Sequence, residues 1–386
     1  MAKRRGPTNR RNLKLIRMAN IQNIITPDQP TQRRLMTYRQ ALASAMREAL
    51  EVHPNVIIMG QGVDDHKGIF GTTHNLHQEF GTDRVFDVPL AEEATTGIGV
   101  GAALNGVYPI QTHIRADFAL LAMNQIVNLA AKYRYMFGGR FSVPMLIRMV
   151  VGRSWGQGAQ HSQSLQSLFA HIPGLTVIMP SHPNSIIESY RHAVANYANP
   201  VISIEHRLMY DLQFDCENYP AKPVSSPFGS RIARQGISVT IVATSIMVLE
   251  ALRAAEHLKE HAGIECEIID LHCVSHPDRQ MVLDSLAKTG LLVVADTSWK
   301  AFGVSAEVCR WVCESAPTLL RAPVVTLGMA PASCPTAKSL EDYFYPNLAT
   351  LADSVAKLVT GKQNHGIPLP TETSMADVYK KFKGPF

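Results

Sequence analysis

Short apolar, β-branched runs alternate with amphipathic stretches along the first half of the chain. Asn55–Met59 (NVIIM), Val107–Thr112, Pro144–Met149, Leu175–Met179 and Val201–Ile204 read as buried strands. Between them, 36–52 places Ala41, Leu42, Ala45, Met46 and Leu50 at three- and four-residue steps, the period of a helix with one buried face. Further helices are predicted at 93–105, 118–136 and 184–197. Strands alternating with helices predict a parallel sheet covered on both faces.

The stretch from Asn218 to Gly236 is rich in Pro, Ser and Gly and reads as a linker. Beyond it the alternation restarts. Strands are predicted at Val239–Ala243, Cys266–Asp270, Leu291–Ala295 and Val324–Thr326, with helices at 245–262, 278–289 and 303–316. The expected organisation is a basic, solvated extension (1–34), a larger α/β domain (35–217), the linker (218–236), a smaller α/β domain (237–362) and a C-terminal arm (363–386).

Charge changes this picture at one end only. Residues 1–34 hold nine Lys or Arg against the single acid Asp28, so the formal +5 of the whole chain hides a slightly acidic folded body. Nucleic-acid binding by that body is not expected. A cytoplasmic location is expected; because an Arg-rich, acid-poor head also fits an organelle-targeting peptide, the mitochondrial matrix is the alternative. No apolar run is long enough to span a membrane. Six cysteines lie in the second half; Cys309 and Cys313, beside Val308, Trp311 and Val312, read as buried free thiols and not as metal ligands.

Three polar clusters could carry chemistry. In Val85–Gly106, a strand-to-helix turn delivers Glu92 and Glu93 to the start of a helix containing Gly97, Gly99, Gly101, Ala102 and Ala103. Such small residues allow close backbone approach, and a carboxylate at the mouth of a deeply packed helix suits proton exchange. The plainer reading is that both acids only complement the helix dipole. The second cluster is Trp155–Gln163 (WGQGAQHSQ), with His161 on a Gly-containing loop after a parallel strand, where α/β sheets place ligands. The third, His113–Tyr135, flanks an amphipathic helix with Phe118 and Tyr133, which as bare sequence reads as core packing.

Together these clusters form an ordered series. It runs through TYRQALASAMREAL, GIFGTTHNLHQEFGTDRVFDVPLAEEATTGIGVGAALNG, ADFALLAMNQIVNLAAKYRYMFGG, HSQSLQSLFAHIPGLTVIMPS, PFG, EIIDLHCVSHPD, DTSWKAFGVSAEV and LEDYFYP, over about 37–358. The series resembles the β subunit of the thiamine-diphosphate-dependent first component of 2-oxo acid dehydrogenases, the pyruvate, branched-chain and acetoin enzymes among them. The resemblance implies a transketolase-like pyrimidine-binding domain followed by a transketolase C-terminal-like domain. It implies that Glu92 hydrogen-bonds the aminopyrimidine ring nitrogen of thiamine diphosphate, sharing the proton whose exchange activates the thiazolium carbon. Phe118 then packs on the pyrimidine, Leu90 lies on the same wall, and His161 lines the 2-oxo acid channel.

The family pattern for gripping the diphosphate and its magnesium, GDG with paired Asn downstream, is missing from the sequence. No metal ligand is therefore assigned to this chain. The resemblance implies that an α subunit binds the diphosphate and magnesium, in a heterotetramer of two α and two β, with a lipoyl acyltransferase taking the acyl group. Several positions depart from the pattern. Gln61 stands where an acid is usual, Asn124 replaces another acid, and Thr112 replaces a usual Glu with His113 and Arg115 nearby. Two other outcomes stay open: a thiamine-dependent decarboxylase or ketol- or acyl-transferring enzyme with a non-lipoyl acceptor, and a non-catalytic partner subunit.

Overall fold

In the computed structural model, residues 35–371 are described, except 66, 153–155, 221 and 223. The basic extension 1–34, Trp155 of the second polar cluster and the end of the C-terminal arm (372–386) lie outside the described residues.

The apolar runs form two sheets. A short antiparallel ribbon pairs β1 (Leu35–Thr37) with β8 (Gln213–Asp215). The larger sheet contains β2 (Val56–Gly60), β3 (Val85–Asp87), β4 (Tyr108–His113), β5 (Leu146–Val151), β6 (Thr176–Ile178) and β7 (Val201–His206). Its order is β3-β2-β4-β5-β7-β6 and every pair is parallel. The chain leaves β2 for β3 on one side and returns to β4 on the other. Such a reversal marks the carboxyl ends of β2 and β4 as the place where open parallel sheets bind ligands.

The second sheet has β9 (Arg231–Arg234), β10 (Val239–Ala243), β11 (Cys266–Asp270), β12 (Leu292–Trp299) and β13 (Val325–Met329), in the order β13-β12-β10-β11-β9. Only β9 runs antiparallel, against β11. It falls inside the stretch read as a linker, because Ile232 is buried on this edge while the Pro- and Ser-rich residues before it remain outside any strand.

One hydrophobic cluster runs across both halves. It joins Val100, Ile126, Met145 and Ile204 to Val242, Ile269, Leu286 and Trp311. Polar ties cross the same junction. Ser181 and Tyr219 hydroxyls each donate to Asp270 Oδ2 at 2.6 Å, and Gln166 Nε2 donates to Asp296 Oδ1 at 2.8 Å. Burial raises the Asp270 carboxyl above its ordinary range, opposed by Arg231 and the two hydroxyls.

Two expectations are corrected here. The region 118–136 is not one α-helix: Ala116–Ala119 is α-helical, Leu120–Ala122 is 3-10, Asn124–Ala130 is a wide π turn and Tyr133–Met136 is α-helical again. The wide turn keeps Ile126 and Ala130 in the core while Asn124 and Gln125 reach back to Glu93. Of the cysteine pair, Cys313 is exposed, since the buried stripe of its helix runs through Val304, Val308, Trp311 and Val312. No helix among the described residues is long and apolar enough to cross a membrane.

Candidate active site

Glu92 opens the helix Glu92–Leu104, which follows β3 and packs against β4 and the 120–130 segment. The packing is close because the helix presents glycine. A Cβ on Gly99 would lie 3.2 Å from Gln111 Oε1 and 3.3 Å from Met145 Cε, and one on Gly97 would lie 3.3 Å from Gln125 Oε1. The two acids at the helix start diverge as a result. Glu92 is 9% exposed, whereas Glu93 is exposed and accepts from Asn124 Nδ2 and Gln125 Nε2 at 3.5 and 3.4 Å.

Around Glu92 the structure gathers the ends of two strands. Gly60 ends β2 against β4 so tightly that a Cβ there would stand 2.6 Å from Thr112 O. Gln61, the next residue, donates its Nε2 to Glu92 Oε1 at 3.4 Å. His113 ends β4 and is within electrostatic reach of Glu92; its Nε2 lies 3.5 Å from Thr96 Oγ1, which accepts from Gln111 Nε2 at 2.9 Å. Burial depresses the imidazole to about 4, against an opposing pull from Glu92. A buried, uncharged imidazole beside the carboxylate thus joins the site.

Phe118 and His161 make a second contact at the same carboxyl edge. Phe118 follows β4 by five residues, His161 lies on the loop after β5, and their rings meet edge to face at 5.1 Å. The His161 loop is pinned on both sides. Gln163 donates its backbone N and its Nε2 to Asp117 Oδ1 at 3.2 and 2.9 Å, and Tyr345 Oη donates to Ser162 O at 3.3 Å. Burial raises the Asp117 carboxyl, opposed by the bonds from Gln163. These pins escape sequence reading, because nothing in the spacing of Asp117, Gln163 and Tyr345 marks them as neighbours. Leu90 is 82% exposed, two residues before Glu92, and is drawn into neither contact.

A low-exposure carboxylate and exposed apolar side chains fit an aromatic, hydrogen-bonding ring. Among the described residues, no group of three or more His, Cys, Asp or Glu side chains could hold a metal ion.

Acid sensitivity follows from the buried histidines. His182, which accepts from Asn184 N at the start of the helix Pro183–Asn196, is likewise depressed to about 4 by burial, opposed by its contact to the Asp215 carbonyl. Unfolded histidine titrates near 6.5, so the unfolded chain takes up protons that the folded chain declines. Stability is full above that value and is lost as pH falls toward 4. Urea unfolding at pH 5 should show roughly 2 kcal/mol less stability per histidine than at pH 7; a flat profile would contradict the assignment.

Two family models match the chain: "Transketolase, pyrimidine binding domain" over residues 34–213 and "Transketolase, C-terminal domain" over 229–351. Among curated relatives, the "Pyruvate dehydrogenase E1 component subunit beta" of Rhizobium meliloti is 36% identical over 326 residues, 84% of this chain and 70% of that one. The mitochondrial protein of that description from Saccharomyces cerevisiae is 34% identical, covering 84% and 89%. The "Acetoin:2,6-dichlorophenolindophenol oxidoreductase subunit beta" of Cupriavidus necator is 36% identical, covering 85% and 98%. Among solved structures, a split-gene transketolase, described as an inactive beta4 tetramer, superposes with a TM-score of 0.64 at 22% identity, covering 84% of this chain and 98% of that chain. That likeness concerns the fold.

Proposed function

The chain belongs to the family of pyruvate and acetoin dehydrogenase β subunits, 2-oxo acid dehydrogenase components with transketolase-like domains, and from this premise we propose that Glu92 serves thiamine diphosphate in the oxidative decarboxylation of a 2-oxo acid. The observation that carries the proposal is the carboxylate of Glu92, nearly buried at a helix start, on the carboxyl edge of a parallel sheet at its topological switch. Bound there, the cofactor would supply the carbon nucleophile and electron sink of the reaction.

The chain's own groups would divide the remaining work. Glu92 holds a proton at its carboxyl oxygen for the pyrimidine ring nitrogen. Phe118 offers a ring face to the pyrimidine, and Leu90 an apolar wall. His161, edge-on to Phe118 and pinned through Gln163 and Ser162, orients the 2-oxo acid or the acyl-accepting lipoyl group. His161→Ala should lower kcat/KM for the 2-oxo acid about tenfold to hundredfold, with thiamine diphosphate affinity little changed. An equal loss of cofactor affinity would move His161 out of that role.

The diphosphate and magnesium belong to an α subunit in this reading, and the site is shared between the two chains in a heterotetramer of two α and two β. A lipoyl acyltransferase would receive the acyl group. The surface is consistent with a partner chain: Leu90, Ile98, Leu121, Tyr135 and Met136 are exposed on the Glu92 helix and the segments beside it. Co-expression with a partner carrying GDG and the paired Asn tests the whole reading. Thiamine-dependent release of carbon dioxide from a 2-oxo acid is expected from the complex and not from either chain alone. Release without added thiamine diphosphate, after its removal, would overturn it.

A further inference from the structure

Gln61 is fixed from behind as well as bonded in front. Asp87, the last residue of β3, accepts from the backbone N of Gly62 (3.0 Å), Val63 (2.6 Å) and Asp64 (3.3 Å), clamping the loop that carries Gln61. The Gln61 amide then meets Glu92 Oε1 from the end of β2. An amide can donate a hydrogen bond and cannot titrate, whereas a carboxyl in its place could share a proton with Glu92.

The titratable groups on the surrounding elements do not take over this task. His113 on β4 is held uncharged by burial; Glu93, next on the helix, is engaged by Asn124 and Gln125; Asp64 and Asp87 lie in and behind the clamped loop. Among these, Gln61 is the neutral donor to Glu92. We propose that Gln61 is a positioning residue: its amide orients the Glu92 carboxyl without sharing a proton with it, so that the proton Glu92 shares with thiamine diphosphate is drawn from solvent and not from a neighbouring carboxyl. The proposal rests on the reading of Glu92 as the cofactor's carboxylate.

Proton uptake tests it without reference to turnover. Binding of thiamine diphosphate with magnesium to the complex of this chain and its α partner is followed by calorimetry in buffers of different ionisation enthalpy, at about pH 6.5. Beyond the protons that the diphosphate itself exchanges on binding magnesium, measured in a protein-free titration and subtracted throughout, the wild-type complex should take up about one proton per cofactor. In Gln61→Glu, two carboxyl groups at this separation hold one proton between them before binding, so uptake should fall by about half or more. In Gln61→Met, uptake should persist while affinity weakens roughly three- to tenfold. Wild-type uptake in Gln61→Glu, or wild-type affinity in Gln61→Met, overturns the positioning role, and the second variant serves if the first does not fold. Glu92→Gln separates the two readings. Its uptake should vanish; if it equals the wild type, the cofactor-facing role of Glu92 fails and not merely that of Gln61.

Discussion

Glu92→Gln should lower thiamine-dependent turnover about 10²- to 10⁴-fold, the usual range for losing a positioned proton-transfer group. The substitution is nearly isosteric. Its amide oxygen can still accept from Gln61 Nε2, and the helix keeps its close approach to Gln111 and Met145 through Gly99. What disappears is a carboxyl oxygen able to share a proton. The loss should therefore fall on kcat, with the unfolding free energy from urea denaturation within about 0.5 kcal/mol of the wild type. Glu93→Gln is the internal control. Its carboxylate is exposed and held by two surface amides, so turnover should change less than about threefold. Equal losses in both variants would show that the helix start responds to charge alone.

Glu205→Ala should destabilise the chain by about 3–5 kcal/mol, the cost of leaving a buried cation without its partner. Arg148 on β5 and Glu205 on β7 are both fully buried and meet fork to fork, Nε to Oε1 at 2.7 Å and Nη2 to Oε2 at 2.8 Å. Tyr190 and Tyr210 add hydroxyl donors to the same carboxylate at 2.7 and 2.8 Å. Burial and then the negative charge of Glu205 push both phenols well above their ordinary value, so they remain donors. Replacing the pair together, Arg148→Met with Glu205→Leu, should recover most of the lost stability, since well-packed apolar groups can replace a buried pair at little cost. Urea denaturation of the two variants decides it. A double variant as unstable as Glu205→Ala would mean that the network contributes through its hydrogen bonds and not by neutralising Arg148.

The sequence reveals buried strands better than short or polar ones. Val56–Gly60 and Leu146–Val151 are apolar enough to stand out, whereas Val85–Asp87 is three residues long and falls below any periodic signal, though it places Asp87 behind Gln61. The 118–136 region carries a helical pattern because Ile126 and Ala130 are four apart, a spacing that does not separate an α turn from the wider turn found there. Within the site, burial distinguishes Glu92 from Glu93, and burial depends on the packing of Gly97 and Gly99 against side chains elsewhere in the chain. The tie from Gln163 to Asp117 spans 46 positions and leaves no local trace. Arg148 did leave one: it interrupts the otherwise apolar strand Leu146–Val151, and a charge placed there needs a partner at the same depth.

The apolar cluster shared by the two sheets bears on how this chain can be taken apart. Leu286 and Trp311, which belong to the second sheet's helices, are buried in the same cluster as Ile126 and Ile204. Expressed alone, either half would present that face to water and associate or be degraded. The two halves should melt together in one calorimetric transition, making them a poor choice of modules for grafting. Recombination with related subunits would need crossovers that preserve both sides of this seam, with Ser181, Tyr219 and Asp270 inherited as a set.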